Sequence, residues 1–296
     1  MRACVLRHPI VSLCCRARSV QTQASRREIL SLGVAGVLMM QIQRADASVQ
    51  PQGEGNILRT LRQDEIDEIL VAMKECIPPI KAPLMLRLVF HDAATYRQGL
   101  QGNDTGGVNG SIQFETERPE NFGLKRGVNV IRQLGEKLPQ YSFADLIVLS
   151  AAFAVKMTHG PDMMRSVRVG RVDAEKADPE GRLPEESLSA AGQFDVFGSM
   201  GFSPEEMVAL LGSHTLGNKG FGEPLSFDNT YYVSLLKKPW ENKADKMASM
   251  IGLASDRVLP DDPVARPIIT TFANNNDAFF QSFEKSFIKL SELGCV

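Results

Sequence analysis

The sequence predicts an all-α protein of two helical lobes, on three observations. Apolar residues recur at helical spacing through most of the chain beyond residue 60, with little sustained period-two alternation. A stretch at 160–186, GPDMMRSVRVGRVDAEKADPEGRLPEE, is rich in Gly, Pro and charge, follows neither period and separates two such helical regions. Loops of that length usually serve a site. Finally, 249 of the 296 residues lie beyond a leader-like front end, enough for one large core or two tightly joined lobes.

The front end reads as an address. Met1 to Arg27 holds six Arg, no Lys and no acid, the composition of an organelle transit peptide. Arg26 and Arg27 then precede an apolar run from Ile29 to Ile42 and the sequence Ala45-Asp46-Ala47, an A-x-A cleavage signal. The run is short for a membrane span. The two-part signal, residues 1–47, suggests the thylakoid lumen of a chloroplast; one presequence with a fortuitous arginine pair would instead place the protein in the chloroplast stroma or a mitochondrion. Cleavage leaves 26 basic and 33 acidic residues, a net charge of −7, which gives no basic surface for nucleic acid. Of five cysteines only Cys76 and Cys295 remain, too few for a disulfide framework and not spaced as a metal cluster.

The domain at 48–296 divides into a first lobe at about 48–160, the connection at 160–186 and a second lobe at 187–296. RQDEIDEILVAMKECI (62–77) places Ile66, Ile69, Leu70 and Met73 on one face, and Pro78-Pro79 stops the helix. The next helix contains LRLVFHDAATY, in which Arg87 and His91 are four residues apart and so share a face, with Phe90 beside them. Unpaired buried charge costs several kcal/mol, so such a pair in an apolar run points to a pocket; a surface edge with an Asp92 ion pair is the plainer alternative. A Gly-rich loop (102–111) and helices at 123–138 and 142–158 complete the lobe.

In the second lobe, Ser203 with Glu206 three residues on forms a capping box, and Pro204 occupies the first helical position. Met207, Leu210, Leu211 and His214 fall on one face, with Gly217 closing the helix beyond His214. His214 is readable as a ligand or as a satisfied core histidine. Phe279, Phe280, Phe283, Phe287 and Leu290 form the core stripe of the last helix.

Four segments in series, LRLVFHDA, ENFGL, VALLGSHTLG and LASDRVL, resemble the plant-type heme peroxidases, within them the intracellular class containing ascorbate peroxidase and its related branch. The resemblance covers nearly all of 48–296 and implies heme b held noncovalently between a distal and a proximal lobe. It implies that His214 ligates the iron, backed by Asp256. It makes His91 the acid–base group toward hydrogen peroxide and Arg87 its electrostatic partner, with Asn121 fixing the His91 tautomer. Asp256 can also be read as an N-cap or loop acid, and Asn121 as a turn residue. Thr215 and Asp228 match positions that hold a monovalent cation such as K+ in some members.

The chain also departs from the family. Phe90 stands where ascorbate peroxidases carry tryptophan, which argues against strong catalase activity. The segment NKGFGEPLS is shortened, removing the basic residue that binds ascorbate and the tryptophan packed under the proximal histidine; Phe221 is the candidate to replace that ring. Lys219 is the cation left in this segment, and Glu223 opposes it. Trp240, the single Trp, matches no radical site. The expected activity is reduction of H2O2 by a small reductant, ascorbate not assured, with no nucleic-acid partner and no membrane association after cleavage. The rivals are a heme-free lumenal binding or structural module and a heme carrier or sensor; the latter would need no Arg87–His91 pair.

Overall fold

Among the residues described by the computed structural model, 57–242 and 244–295, ten α-helices are joined by 3-10 turns and one small strand pair. The expected leader at 1–47 lies outside them. No helix among the described residues is long and apolar enough to cross a membrane.

The first lobe is built on α4 (Phe143–Met157), which is buried without interruption from Ala144 to Val155 and so has no polar face to give to water. Against it packs α2 (Ala82–Ala93), burying Met85, Leu86, Leu88 and Val89. Pro83 is tolerated in the first turn of α2 because the first amides of a helix have no intrahelical acceptor. α1 (Gln63–Cys76) and α3 (Lys125–Lys137) cover the remaining faces with Ile66, Ile69 and Met73 from one and Val128, Ile131 and Leu134 from the other.

The connection at 160–186 is tied down along its length. Its β2 (Arg168–Val169) pairs antiparallel with β1 (Arg59–Thr60), Arg59 opposite Val169; two residues per strand are too few to show a period in sequence. Arg171, fully buried, pairs with Asp145 of α4 at 2.7 Å and donates from Nε and Nη2 to the Ser291 carbonyl at 2.9 and 2.6 Å. Asp173 accepts the first two amides of α4, from Phe143 and Ala144, both at 2.8 Å. Asp178 accepts the Thr95 hydroxyl at 2.7 Å just beyond α2.

The second lobe comprises α5 (Ala190–Ser199), α6 (Pro204–Leu211), α7 (Thr230–Lys237), α8 (Ala254–Val258), α9 (Ala265–Asn274) and α10 (Asn276–Ser291). α10 lays Phe279, Phe283, Phe287 and Leu290 against α6, while Phe280 is only partly buried. The capping box at the start of α6 is formed as the sequence predicts: Ser203 Oγ accepts the Glu206 amide, and Glu206 accepts the Ser203 amide at 2.7 Å.

The end of α6 differs from expectation. The helix stops at Leu211, and His214 sits in a following 3-10 turn, Gly212–Thr215. The Tyr232 hydroxyl donates to the Val208 carbonyl at 2.9 Å, the acceptor an α-helical Gly212 amide would have used, and that amide turns to Ala209 instead. Only glycine fits at 212, since a Cβ there would lie 2.3 Å from the Tyr232 oxygen and 2.5 Å from the Phe279 ring.

Candidate active site

On the distal side, the helical spacing of α2 presents Arg87 and His91 one turn apart. His91 Nδ1 lies 2.7 Å from Asn121 Oδ1. The Asn121 amide is oriented by its own donation to the Glu115 carbonyl at 3.0 Å, which leaves its oxygen for His91; Nδ1 is therefore the protonated nitrogen and Nε2 the bare one. Burial depresses the His91 pKa to about 4, with the Arg87 charge adding to the effect and the Asn121 hydrogen bond opposing it. The imidazole is thus neutral at physiological pH. Arg87 is exposed, and its guanidinium donates to the carbonyls of Phe122 and Glu120, both at 2.7 Å. Among the described residues no carboxylate pairs with it by contact. The Phe90 ring lies edge-on to His91 and stacks on Phe197 of α5 at 5.8 Å.

On the proximal side, His214 Nδ1 lies 2.8 Å from Asp256 Oδ1. Asp256 belongs to α8 and is almost completely buried. Its Oδ2 accepts the Leu253 amide at 2.8 Å and its Oδ1 also accepts the Tyr231 hydroxyl at 2.9 Å. Burial works against the Asp256 charge, but His214 and these donors outweigh it and hold the pKa below the usual carboxylate range. Burial likewise pulls the His214 pKa down, and Asp256 more than reverses it. The His214 side chain remains 28% exposed, with Nε2 unengaged by protein.

The ring set edge-on to His214 is that of Tyr231, at 5.9 Å and 86°. Phe221, expected in that place, is buried one ring further out, 4.8 Å from Tyr231. Sequence reasoning missed Tyr231, which reads as one of two core tyrosines in NTYY; the available signal is that a buried tyrosine hydroxyl needs an acceptor.

The two sides are held together locally. A Cβ at Gly217, three residues past His214, would be 3.3 Å from Pro83 Cβ, so this loop passes against the first turn of α2, just before Arg87. α5 joins them as well: Phe197 stacks on Phe90, and one turn earlier Gln193 donates to the carbonyl of Ser255, the neighbour of Asp256, at 2.9 Å. Thr215 and Asp228 are also adjacent. Asp228 is occupied by protein donors, Oδ1 by Thr215 at 3.2 Å and the Thr230 amide at 2.9 Å, Oδ2 by Ser226 at 3.0 Å. Trp240 packs partly buried against the main core, with the Arg257 guanidinium 5.8 Å from its ring.

The donor set fits heme. An imidazole whose Nδ1 hydrogen is committed to a buried carboxylate, with an accessible Nε2, is the arrangement of a proximal histidine. A separate, neutral imidazole with its Nδ1 fixed and an arginine one turn away suits acid–base work on peroxide. Such a pair on two helical lobes defines the class of helical heme peroxidases. The comparison with known proteins agrees: the chain belongs to the peroxidase family, whose model matches residues 64–275. It is 39% identical over 274 residues to the Arabidopsis thaliana protein named "Putative L-ascorbate peroxidase 6", covering 92% of this chain and 78% of that one. It is 40% identical over 237 residues to L-ascorbate peroxidase 3 of Arabidopsis thaliana, covering 76% of this chain and 77% of the relative. A cytosolic relative, L-ascorbate peroxidase 2 of the same plant, is 35% identical over 237 residues, covering 76% and 88%. The protein is a heme peroxidase reducing hydrogen peroxide with electrons from a reductant; the heme-free alternative is not favoured.

Proposed function

We propose that His214 holds the heme iron through Nε2 and that His91 and Arg87 carry out the proton chemistry of peroxide reduction. The observation supporting this most directly is the matched commitment of both Nδ1 hydrogens, to Asn121 and to Asp256. The heme, when bound, supplies the two electrons that break the O–O bond and is later restored by the reductant. His91 Nε2 takes the proton from one peroxide oxygen and returns it to the other, which leaves as water. Its low pKa keeps Nε2 free for the first step. Arg87 stabilises negative charge developing on the departing oxygen. Asn121 and Asp256 orient the two imidazoles, and Phe90, backed by Phe197, closes the distal side.

The reductant is a small molecule. Ascorbate is named for the relatives, but here the short segment after His214 retains Lys219 as its cation and carries Glu223. The composition of residues 1–47 supports delivery to a chloroplast, with the thylakoid lumen favoured by the twin arginine. A K+ at Thr215 and Asp228 would have to displace the hydrogen bonds already on Asp228, so K+ is expected to raise the melting temperature little.

Titration of the domain with hemin tests the reading. A stoichiometric ferric Soret band that changes on adding H2O2, and loss of stable ligation in His214→Ala, are expected. No heme uptake by the wild-type protein would overturn it.

A further inference from the structure

The turn that holds both distal residues carries a bare aromatic ring at its tip. Asn121 to Leu124 form a type II turn: Phe122 has φ −51° and ψ 126°, Gly123 has φ +85°, and the Leu124 amide donates to the Asn121 carbonyl at 3.0 Å. The left-handed position suits glycine, and Leu124 anchors the far side of the turn in the core at 0% exposure. The near side is anchored on the site. Asn121 Oδ1 meets His91 Nδ1, and the carbonyls of Glu120 and Phe122 receive the Arg87 guanidinium, all at 2.7 Å. These bonds fix the Phe122 backbone and bring its Cα within about 5 Å of the Arg87 guanidinium. The Phe122 side chain is 84% exposed, the most exposed large apolar side chain among the described residues, and Arg87 is exposed beside it. A single exposed phenylalanine needs no explanation by itself. This one is set apart because a rigid turn holds it against the catalytic pair, where it is placed to receive another ring.

We propose that Phe122 is a specificity-determining residue for the reductant, stacking an aromatic, phenol-class donor beside Arg87. The inference rests on the peroxidase reading and adds the class of donor and the residue that selects it. Two rings in offset or edge-on contact gain more than their buried area alone, an effect of about two- to tenfold in affinity. The turn is ordered beforehand, so docking costs little protein freedom. Arg87 uses one N–H from each terminal nitrogen on the two carbonyls, which leaves N–H groups for the hydroxyl oxygen of the donor. Two such donors, each giving up one electron and its hydroxyl proton to become a phenoxyl radical, balance the reduction of one H2O2 to two waters. A reductant without an aromatic ring, iodide for example, gains nothing from Phe122.

The test uses hemin-loaded protein as wild type, Phe122→Ala, Phe122→Trp and, as a control for loss of an exposed apolar side chain elsewhere, Met247→Ala; Met247 is 74% exposed. The affinity for p-cresol is read by ligand-observed NMR without peroxide, and kcat/KM for p-cresol and for iodide is measured with peroxide. Phe122→Ala should weaken p-cresol binding about two- to tenfold and lower the p-cresol-to-iodide kcat/KM ratio by the same factor. Phe122→Trp should retain or tighten both, and Met247→Ala should match wild type. Unchanged p-cresol affinity in Phe122→Ala, or an equal fall with iodide, would overturn the inference. So would weaker heme uptake in Phe122→Ala, which would make the ring a wall of the heme site. Because affinity is read without peroxide, a wild-type protein that binds hemin and p-cresol in this pattern yet fails to react with H2O2 would sink the peroxidase reading and leave the aromatic platform standing.

Discussion

Tyr231 donates its hydroxyl hydrogen to the Asp256 oxygen that also receives the Nδ1 hydrogen of His214, at 2.9 and 2.8 Å. Burial first, then the Asp256 charge, holds the Tyr231 pKa well above its ordinary value, so the phenol stays a donor. Two donors on one oxygen share its charge, and each weakens the other's bond. Tyr231 therefore moderates how strongly Asp256 draws on the proximal imidazole. In Tyr231→Phe the carboxylate should pull harder on the His214 hydrogen, making the ligand more electron-rich. The midpoint potential of the reconstituted protein is expected to move negative, and urea unfolding should show about 1–3 kcal/mol less stability. A potential that rises or stays fixed would remove Tyr231 from this role.

The distal assignment predicts a separation of binding from reactivity. His91→Ala should slow the peroxide reaction about 10²–10⁴-fold, the usual contribution of a positioned acid–base group, while heme titrates as in wild type. Arg87→Ala should slow it less, because its contribution is electrostatic and its guanidinium is shared with the Glu120 and Phe122 carbonyls. Stopped-flow mixing with H2O2 measures both. A near-normal rate in His91→Ala would mean that another group moves the proton.

Much of this site was legible in the sequence because its parts lie on strongly patterned elements. Arg87 and His91 share a helix face by spacing alone, and the box at Ser203 and Glu206 marks where α6 begins. The end of α6 was not legible. Whether a helix continues past Leu211 depends on a tyrosine hydroxyl 24 residues beyond Val208 taking the Val208 carbonyl, a contact without local signature. Tyr231 escaped for the same reason, since its acceptor lies 25 residues on.

The connection holds the lobes through a buried ion pair, and removing one member should be worse than removing both. Arg171 and Asp145 are 0% and 4% exposed in their side chains. Asp145 also accepts the Gly170 amide at 2.8 Å, and Arg171 spans to the Ser291 carbonyl at the end of α10. Asp145→Ala leaves a guanidinium buried without its counter-charge and is expected to lose about 3–5 kcal/mol. The double variant with Arg171→Met should recover part of that loss. Denaturation of Asp145→Ala, Arg171→Met and the double variant measures this, and independent additive losses would show that the two charges are not coupled.

The His91 pKa gives the last prediction a definite sign. Folding lowers it from 6.5 to about 4, chiefly by burial. Between these values the unfolded chain binds the proton and the folded chain does not, so this group lowers stability as pH falls from about 6.5 toward 4 and adds no penalty above that window. The same depression keeps Nε2 available as base, so the peroxide reaction should be flat above about pH 5 and decline as pH falls through about 4. Asn121 is the lever on this limb. Replacing its neutral oxygen by a carboxylate in Asn121→Asp favours the imidazolium, so the limb should move to higher pH and the stability loss on acidification should become smaller. Asn121→Ala removes the acceptor without adding charge. It should lower the His91 pKa further while reducing the rate at every pH, because Nδ1 is then free to take either tautomer. An acid limb that stays at the same pH in Asn121→Asp would mean that the group titrating in the reaction is not His91.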